Sequence, residues 1–218
     1  AWEGFYKNRY EYPLKLILHE FSRNDCVLDV GCGDGRLTYF MAEKVNSIVA
    51  VDNQDYPLKF ARLIFDRLNV KNAEFKVEDI TKLNFKDESF DKIACFDVIE
   101  HIPKDTAIMG IGELVRVLKK GGRLYLTTPN RKELRGRIFG HKMPDKHYYE
   151  YTKEEIRKLF EPYLKDMKVY GYYIPPVIPK AEHIANVIPF RYLFNWLIRA
   201  GKNYPSLSDG LLIIGTRK

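Results

Sequence analysis

The chain has 218 residues, 45% hydrophobic and 30% charged, a balance that suits one globular domain and excludes the disordered, collagen-like and fibrous classes. Its formal net charge of +7 is uneven, because residues 1–130 hold 19 Lys+Arg against 20 Asp+Glu whereas residues 131–218 hold 17 against 9. An excess confined to one end marks either an anionic partner or a solvated basic face. Cys26, Cys32 and Cys95 lack zinc-ligand spacing and read as reduced thiols of a cytoplasmic protein. No apolar run reaches the ~18 residues of a membrane span, and no charged-then-apolar start marks a secretory signal.

Taken in chain order, the first 130 residues alternate short β-branched runs with segments of helical period, the pattern of a parallel sheet covered by helices. Strands are predicted at Cys26–Val30, Ser47–Val51, Ala73–Val77, Lys92–Phe96 and Arg123–Thr128, the last entered through a Gly121-Gly122 turn. All are short and apolar, as strands buried on both faces are. Between them Phe60, Leu63, Ile64 and Leu68 recur at helical spacing, as do Ile108, Ile111, Val115 and Leu118, and both stripes are assigned to the core. Beyond Pro129 come a basic stretch from Arg131 to Lys146, a helix opening at Thr152 with Glu155 three residues on, and a strand near Asp166–Tyr170. An aromatic, Pro-rich segment from Tyr172 to Pro189 leads to a helix whose Phe190, Leu193, Phe194, Leu197 and Ile198 form one stripe. The run Gly210–Thr216 is the closing strand. The expected organisation is a single domain over residues 1–218, in which residues 131–208 hold the basic segment and a substrate cap inserted before the last strand.

The chemistry concentrates in Val27-Leu28-Asp29-Val30-Gly31-Cys32-Gly33-Asp34-Gly35-Arg36, a strand that runs through a glycine-rich turn into a helix. Gly31, Gly33 and Gly35 fall as GxGxG, unlike the GxGxxG that cradles a dinucleotide pyrophosphate. They allow positive φ and close approach of a ligand. Asp29 sets a carboxylate beside the turn, suited to an ammonium group. Asp52 follows the second strand, where an acid of such folds accepts hydrogen bonds from ribose hydroxyls. Asp79 follows the third, with helix capping as its purely structural role.

On these residues the chain resembles class I S-adenosylmethionine-dependent methyltransferases over nearly its whole length. The resemblance implies a Rossmann-like α/β fold, with a seven-stranded, mostly parallel sheet, helices on both faces and an antiparallel last strand formed by Gly210–Thr216. It implies S-adenosyl-L-methionine as cofactor, with Asp29 and Gly31 at the methionine end, Asp52 on the ribose and Glu78 and Asp79 on the adenine rim. Gly33, Gly35 and Phe96 complete that implied site.

After the fourth strand, Asp97-Val98-Ile99-Glu100-His101-Ile102-Pro103 is similar to the Glu-His pair of the ubiquinone-biosynthesis O-methyltransferases, where the pair lies near the substrate. Some members bind a divalent metal through acid-x-x-Glu-His. Asp97 is shorter than the Glu of those members, so the expectation is O-methylation of a small or lipid-like acceptor by Glu100, His101 and His147 without a metal. A second resemblance, to small-RNA 2′-O-methyltransferases, rests on Thr128-Pro129-Asn130 and His147-Tyr148-Tyr149-Glu150-Tyr151-Thr152. It implies a nucleic-acid acceptor and a divalent metal held in part by His147. A cofactor-binding protein without turnover is the third reading. Glu100, His101 and His147 are expected to converge, because loops leaving the carboxyl ends of parallel strands about 4.8 Å apart open on one crevice.

Overall fold

Every strand expected from the sequence forms in the structure, a computed structural model that describes residues 11–174, 192, 193, 196, 197 and 199–218. The elements in chain order are β1 (Cys26–Val30), α1 (Arg36–Ala42), β2 (Ser47–Asp52), α2 (Asp55–Arg67), β3 (Ala73–Val77) and β4 (Phe90–Phe96). They continue with α3 (Lys104–Val117), β5 (Leu118–Pro129), α4 (Leu134–Phe139), α5 (Lys153–Phe160), β6 (Leu164–Tyr172) and β7 (Gly210–Arg217). The strands lie in the order β3-β2-β1-β4-β5-β7-β6. Only β7 runs antiparallel, to β5 on one side and β6 on the other. Chain order reverses between β1 and β4, so the loops leaving these two strands diverge and open a crevice at their carboxyl ends.

Alternation along the strands feeds two cores. Leu28, Ile93, Cys95, Leu124, Leu126, Leu211 and Ile213 face one side and pack with Ile111, Leu114 and Val117 of α3 and Ile156 and Phe160 of α5. Val27, Ala94, Tyr125, Leu212 and Ile214 face the other, against Met41 of α1, Phe65 of α2 and Leu14 and Ile17 ahead of β1. At α5 the Thr152 hydroxyl accepts from the Glu155 amide at 3.2 Å and the Glu155 carboxylate from the Thr152 amide at 2.8 Å, the capping box expected there. No described helix is long and apolar enough to cross a membrane.

Two core assignments are corrected. On α2 the buried residues are Leu58, Ala61 and Phe65, while Phe60, Leu63, Ile64 and Leu68 are 43–52% exposed. The helix carries apolar residues on two faces, and the face with the small Ala61 meets the sheet because the Gly35 turn packs onto it. On α3 Ile111 is buried, Val115 packs on the core and buried Leu118 already belongs to β5, so of that stripe Ile108 alone lies outside the core. The fifth strand is also longer than expected: Gly121 and Gly122 lie within it, opposite a register shift between Phe90 and Lys92. Phe190, Phe194 and Ile198 lie outside the described residues, as does most of the segment from Tyr172 to Pro189, and described Leu193 is exposed.

Candidate active site

The glycine turn after β1 hangs on β2, since the amides of Gly31 and Cys32 both donate to the Val51 carbonyl, at 2.8 and 3.0 Å. Its three glycines have different reasons. Gly31, at φ +73°, would bring a Cβ within 2.2 Å of Val98 Cγ2, and Gly35, at φ +78°, would press on Ala61 and Phe65. Gly33, at φ +54°, has nothing within 4 Å of the same position. Gly33→Ala should therefore cost only the strain of its backbone, about 1–2 kcal/mol, and Gly31→Ala about 1–3 kcal/mol more through overpacking. Urea denaturation of the two variants should order them so, and equal losses would show that Val98 yields.

Asp29 is 2% exposed, and its Oδ2 accepts the Thr38 hydroxyl at 2.6 Å. Burial pushes its carboxyl up to about 7 against the lowering effect of that bond, with the Asp52 charge adding to the rise. Burial and the same two acids also hold the Cys32 thiol far above its ordinary range, so it stays protonated and is no nucleophile. Asp52 accepts from the Gly33 amide and the Gln54 amide, each at 3.0 Å, and thereby ties the turn to β2. Asp79 accepts the Thr81 amide and hydroxyl, both at 2.8 Å, and Glu78 accepts the Asn84 amide at 3.2 Å. These last two carboxylates are bonded within their own loop.

Three cavities meet at Asp97. One, about 320 Å³, is lined by Asp29, Gly31, Leu37 and Phe96 together with Glu11, Pro13 and Leu14. The second, about 500 Å³, runs along Asp52, Glu78 and Asp79 to His101 and Lys146. The third, about 460 Å³, is lined by Glu100, His101, His147, Glu150 and Tyr172. Asp97 borders all three. Its backbone is left-handed, φ +54°, an uncommon state for a residue with a side chain. It is held there by the Thr127 carbonyl, which accepts from its amide at 3.1 Å, and by its Oδ1, which accepts the Thr127 and Tyr172 hydroxyls at 2.9 and 3.3 Å.

Glu100, His101 and His147 converge as expected: ligand-capable atoms of the three lie within 4.8 Å of one another. Glu100 is 1% exposed, its Oε2 accepts the Thr128 hydroxyl at 3.2 Å, and its Oε1 has no hydrogen-bond partner among the described residues. Burial, and then the Asp97 charge, pushes its carboxyl well above the usual range. The imidazoles meet edge to face, 4.8 Å between centroids. His101 Nδ1 contacts the Lys146 carbonyl at 3.0 Å and His147 Nδ1 the Glu150 carboxylate at 2.6 Å. A carbonyl and a carboxylate accept, so these contacts suit a ring that carries a proton on Nδ1.

Sequence reasoning missed several of these lining residues. Glu150 lay inside the His147-Tyr148-Tyr149-Glu150 string, yet nothing local marked it as buried. His141 contacts the same carboxylate at 2.8 Å. Tyr172 arrives from β6, and Glu11 from the segment ahead of β1.

A family model described as a methyltransferase domain matches residues 21–164. The ubiquinone biosynthesis O-methyltransferase of Xanthomonas oryzae pv. oryzae is 39% identical over 106 residues, which cover 48% of this chain and 43% of that protein. The chain thus aligns with less than half the length of that relative. Among solved structures, YcgJ from Bacillus subtilis superimposes with a TM-score of 0.71 at 19% identity, covering 95% of this chain and 99% of that one. The N-methyltransferase NodS from Bradyrhizobium japonicum, in complex with S-adenosyl-L-homocysteine, gives 0.67 at 16% identity, covering 98% and 87%. These two likenesses establish a shared fold.

Proposed function

The chain belongs to the methyltransferase-domain family, and from that premise we propose that it methylates a hydroxyl oxygen of a small, uncharged acceptor at the expense of S-adenosyl-L-methionine. The observation that carries this reading is the junction at Asp97, where a buried carboxylate beside a glycine turn adjoins the cavity of Glu100, His101 and His147.

The residues fit the cofactor. Asp29 is a buried acid whose Oδ1 has no hydrogen-bond donor among the described residues, Gly33 leaves the turn open, and Asp52 retains lone pairs beyond its two backbone bonds. Asp29 would bind the ammonium, Asp52 the ribose hydroxyls, and Phe96 would border the methionine end. Glu78 and Asp79 would border the adenine with less freedom, since both are already bonded locally. When bound, S-adenosyl-L-methionine supplies an electrophilic methyl. The protein aligns the acceptor oxygen and excludes water, which contributes about 7–11 kcal/mol, while a general base contributes about 3–6. His101 or His147 can take the hydroxyl proton at Nε2.

The same three residues also fit a divalent cation, a reading favoured by the buried Glu100 Oε1, which has no hydrogen-bond partner among the described residues, in one cluster with two imidazoles. Asp97, whose shortness spoke against a metal in the sequence, is turned to Thr127 and Tyr172 and is not needed in this set. A cation held there would supply positive charge to the acceptor hydroxyl.

The charge of the acceptor follows from the wall. Among the described residues the third cavity is lined by the acids Asp97, Glu100 and Glu150 and by one lysine, Lys142. Of the basic stretch, Arg131 bonds Glu155 at 2.7 Å and lies over the Tyr149 ring, and Arg137 donates to the Lys132 and Ser206 carbonyls. This disfavours an anionic acceptor and supports the small-molecule reading over RNA. The test is transfer of labelled methyl to phenols, polyprenyl phenols, glycolipids and short RNAs, with and without chelator. Expected is a product from an uncharged hydroxyl compound, formed at a rate nearly independent of salt; loss with chelator marks the cation, and persistence marks an imidazole working alone. Methylation of RNA alone, with the steep log-linear salt dependence of counterion release, would overturn the acceptor assignment.

A further inference from the structure

Glu150 is 3% exposed, and both its oxygens are taken by imidazoles: Oε1 by His147 Nδ1 at 2.6 Å and Oε2 by His141 Nε2 at 2.8 Å. His147 and Glu150 are further fixed by the bonds around them. The amides of Tyr148 and Tyr149 donate to the Glu100 carbonyl at 2.7 and 3.4 Å, and the Lys146 carbonyl meets His101 Nδ1 at 3.0 Å. Residues 146–150 are therefore stapled to the turn after β4, and the carboxylate that bonds His147 Nδ1 comes from within the staple.

We propose that Glu150 is a positioning residue, which holds His147 in the Nδ1–H tautomer with its Nε2 lone pair toward Glu100 and His101, and which anchors His141 as a wall of the same cavity. A free imidazole neutral in water has no such constraint. Without Glu150 the His147 proton is free to sit on Nε2, where it blocks that atom as proton acceptor or ligand. The effect is on ring state and direction, so it reaches the reaction only through His147. The role in turnover rests on the methyl-transfer reading above, whereas the tautomer itself does not.

The test is long-range ¹H–¹⁵N correlation of the imidazoles at pH 8 in the metal-free protein, with His147 assigned by its loss in His147→Asn. Wild type should show His147 protonated on Nδ1. Glu150→Gln should keep that state, because its amide oxygen still accepts, and Glu150→Ala should lose it while cofactor calorimetry confirms an intact fold. A wild-type His147 protonated on Nε2, or a ring unchanged in Glu150→Ala, overturns the proposal. Should Glu150→Ala not fold, the wild-type and Glu150→Gln spectra decide it: loss of the Nδ1–H state in Gln contradicts it as well. With catechol as acceptor, Glu150→Ala should lower kcat about 10- to 100-fold, as for other outer partners of a functional histidine. It should lower it no further in a His147→Ala background, and additive losses there count against the proposal. Absence of wild-type turnover bears on the transfer reading alone and leaves the tautomer result to decide this one.

Discussion

Methyl transfer by Glu100→Gln is expected to fall about 10²- to 10⁴-fold while cofactor affinity and stability hold. Glu100 is buried with one oxygen partnerless, so the fold carries a desolvated acid that brings it little stability. Glutamine keeps the shape and the Thr128 bond but cannot ionise to a carboxylate. If the cluster holds a cation, a ligand is lost. If an imidazole works alone as base, the carboxylate that would stabilise its protonated form is lost, and the loss falls in the same range. His101→Ala should fall as far. Stopped-time assays with labelled cofactor, paired with calorimetry and urea denaturation, separate the two. Full turnover in both variants would make the cluster structural.

The second large effect concerns Asp29. Its carboxyl is raised from 3.8 to about 7 by burial, so between these values the folded protein holds a proton that the unfolded chain releases. Stability from this group is therefore present below pH 4 and is lost as pH rises toward 7, by about 4 kcal/mol in all. Asp29→Asn should remove that slope and be more stable than wild type at pH 8 without cofactor. The cofactor ammonium favours the charged form, so wild-type affinity should rise with pH up to about 7 and then level. Asp29→Asn should bind about 10- to 150-fold more weakly at pH 8, the range for a hydrogen bond to a charged group left unmade. Greater stability with weaker binding separates a ligand-directed acid from a structural one. Loss of both would mean that the Thr38 bond, not a ligand, is what Asp29 serves.

The sequence revealed the fold wherever alternation was forced by burial. Val27 against Leu28 and Tyr125 against Leu126 divide cleanly between the two faces because both sides of the sheet are covered. It misled on α2, whose period is helical on either face; Leu58, Ala61 and Phe65 won because a small residue is needed where the Gly35 turn lands, which is a tertiary fact. Gly31 and Asp29 were legible because a turn of positive φ beside an acid is a local constraint. The convergence of Glu100 with His147 was legible from topology alone. Glu150, His141 and Tyr172 were not, since their roles come from contacts across 3 to 75 residues that no spacing announces. Asp97 was read by its length against relatives, whereas its bonds to Thr127 and Tyr172 decide what it does.

Calorimetric titration of the wild-type protein with S-adenosyl-L-homocysteine at pH 8 tests the central claim most directly. A saturable 1:1 heat is expected, weakened about 10- to 150-fold in Asp29→Asn. No heat from a protein whose circular dichroism shows it folded would contradict the cofactor site and, with it, the reaction.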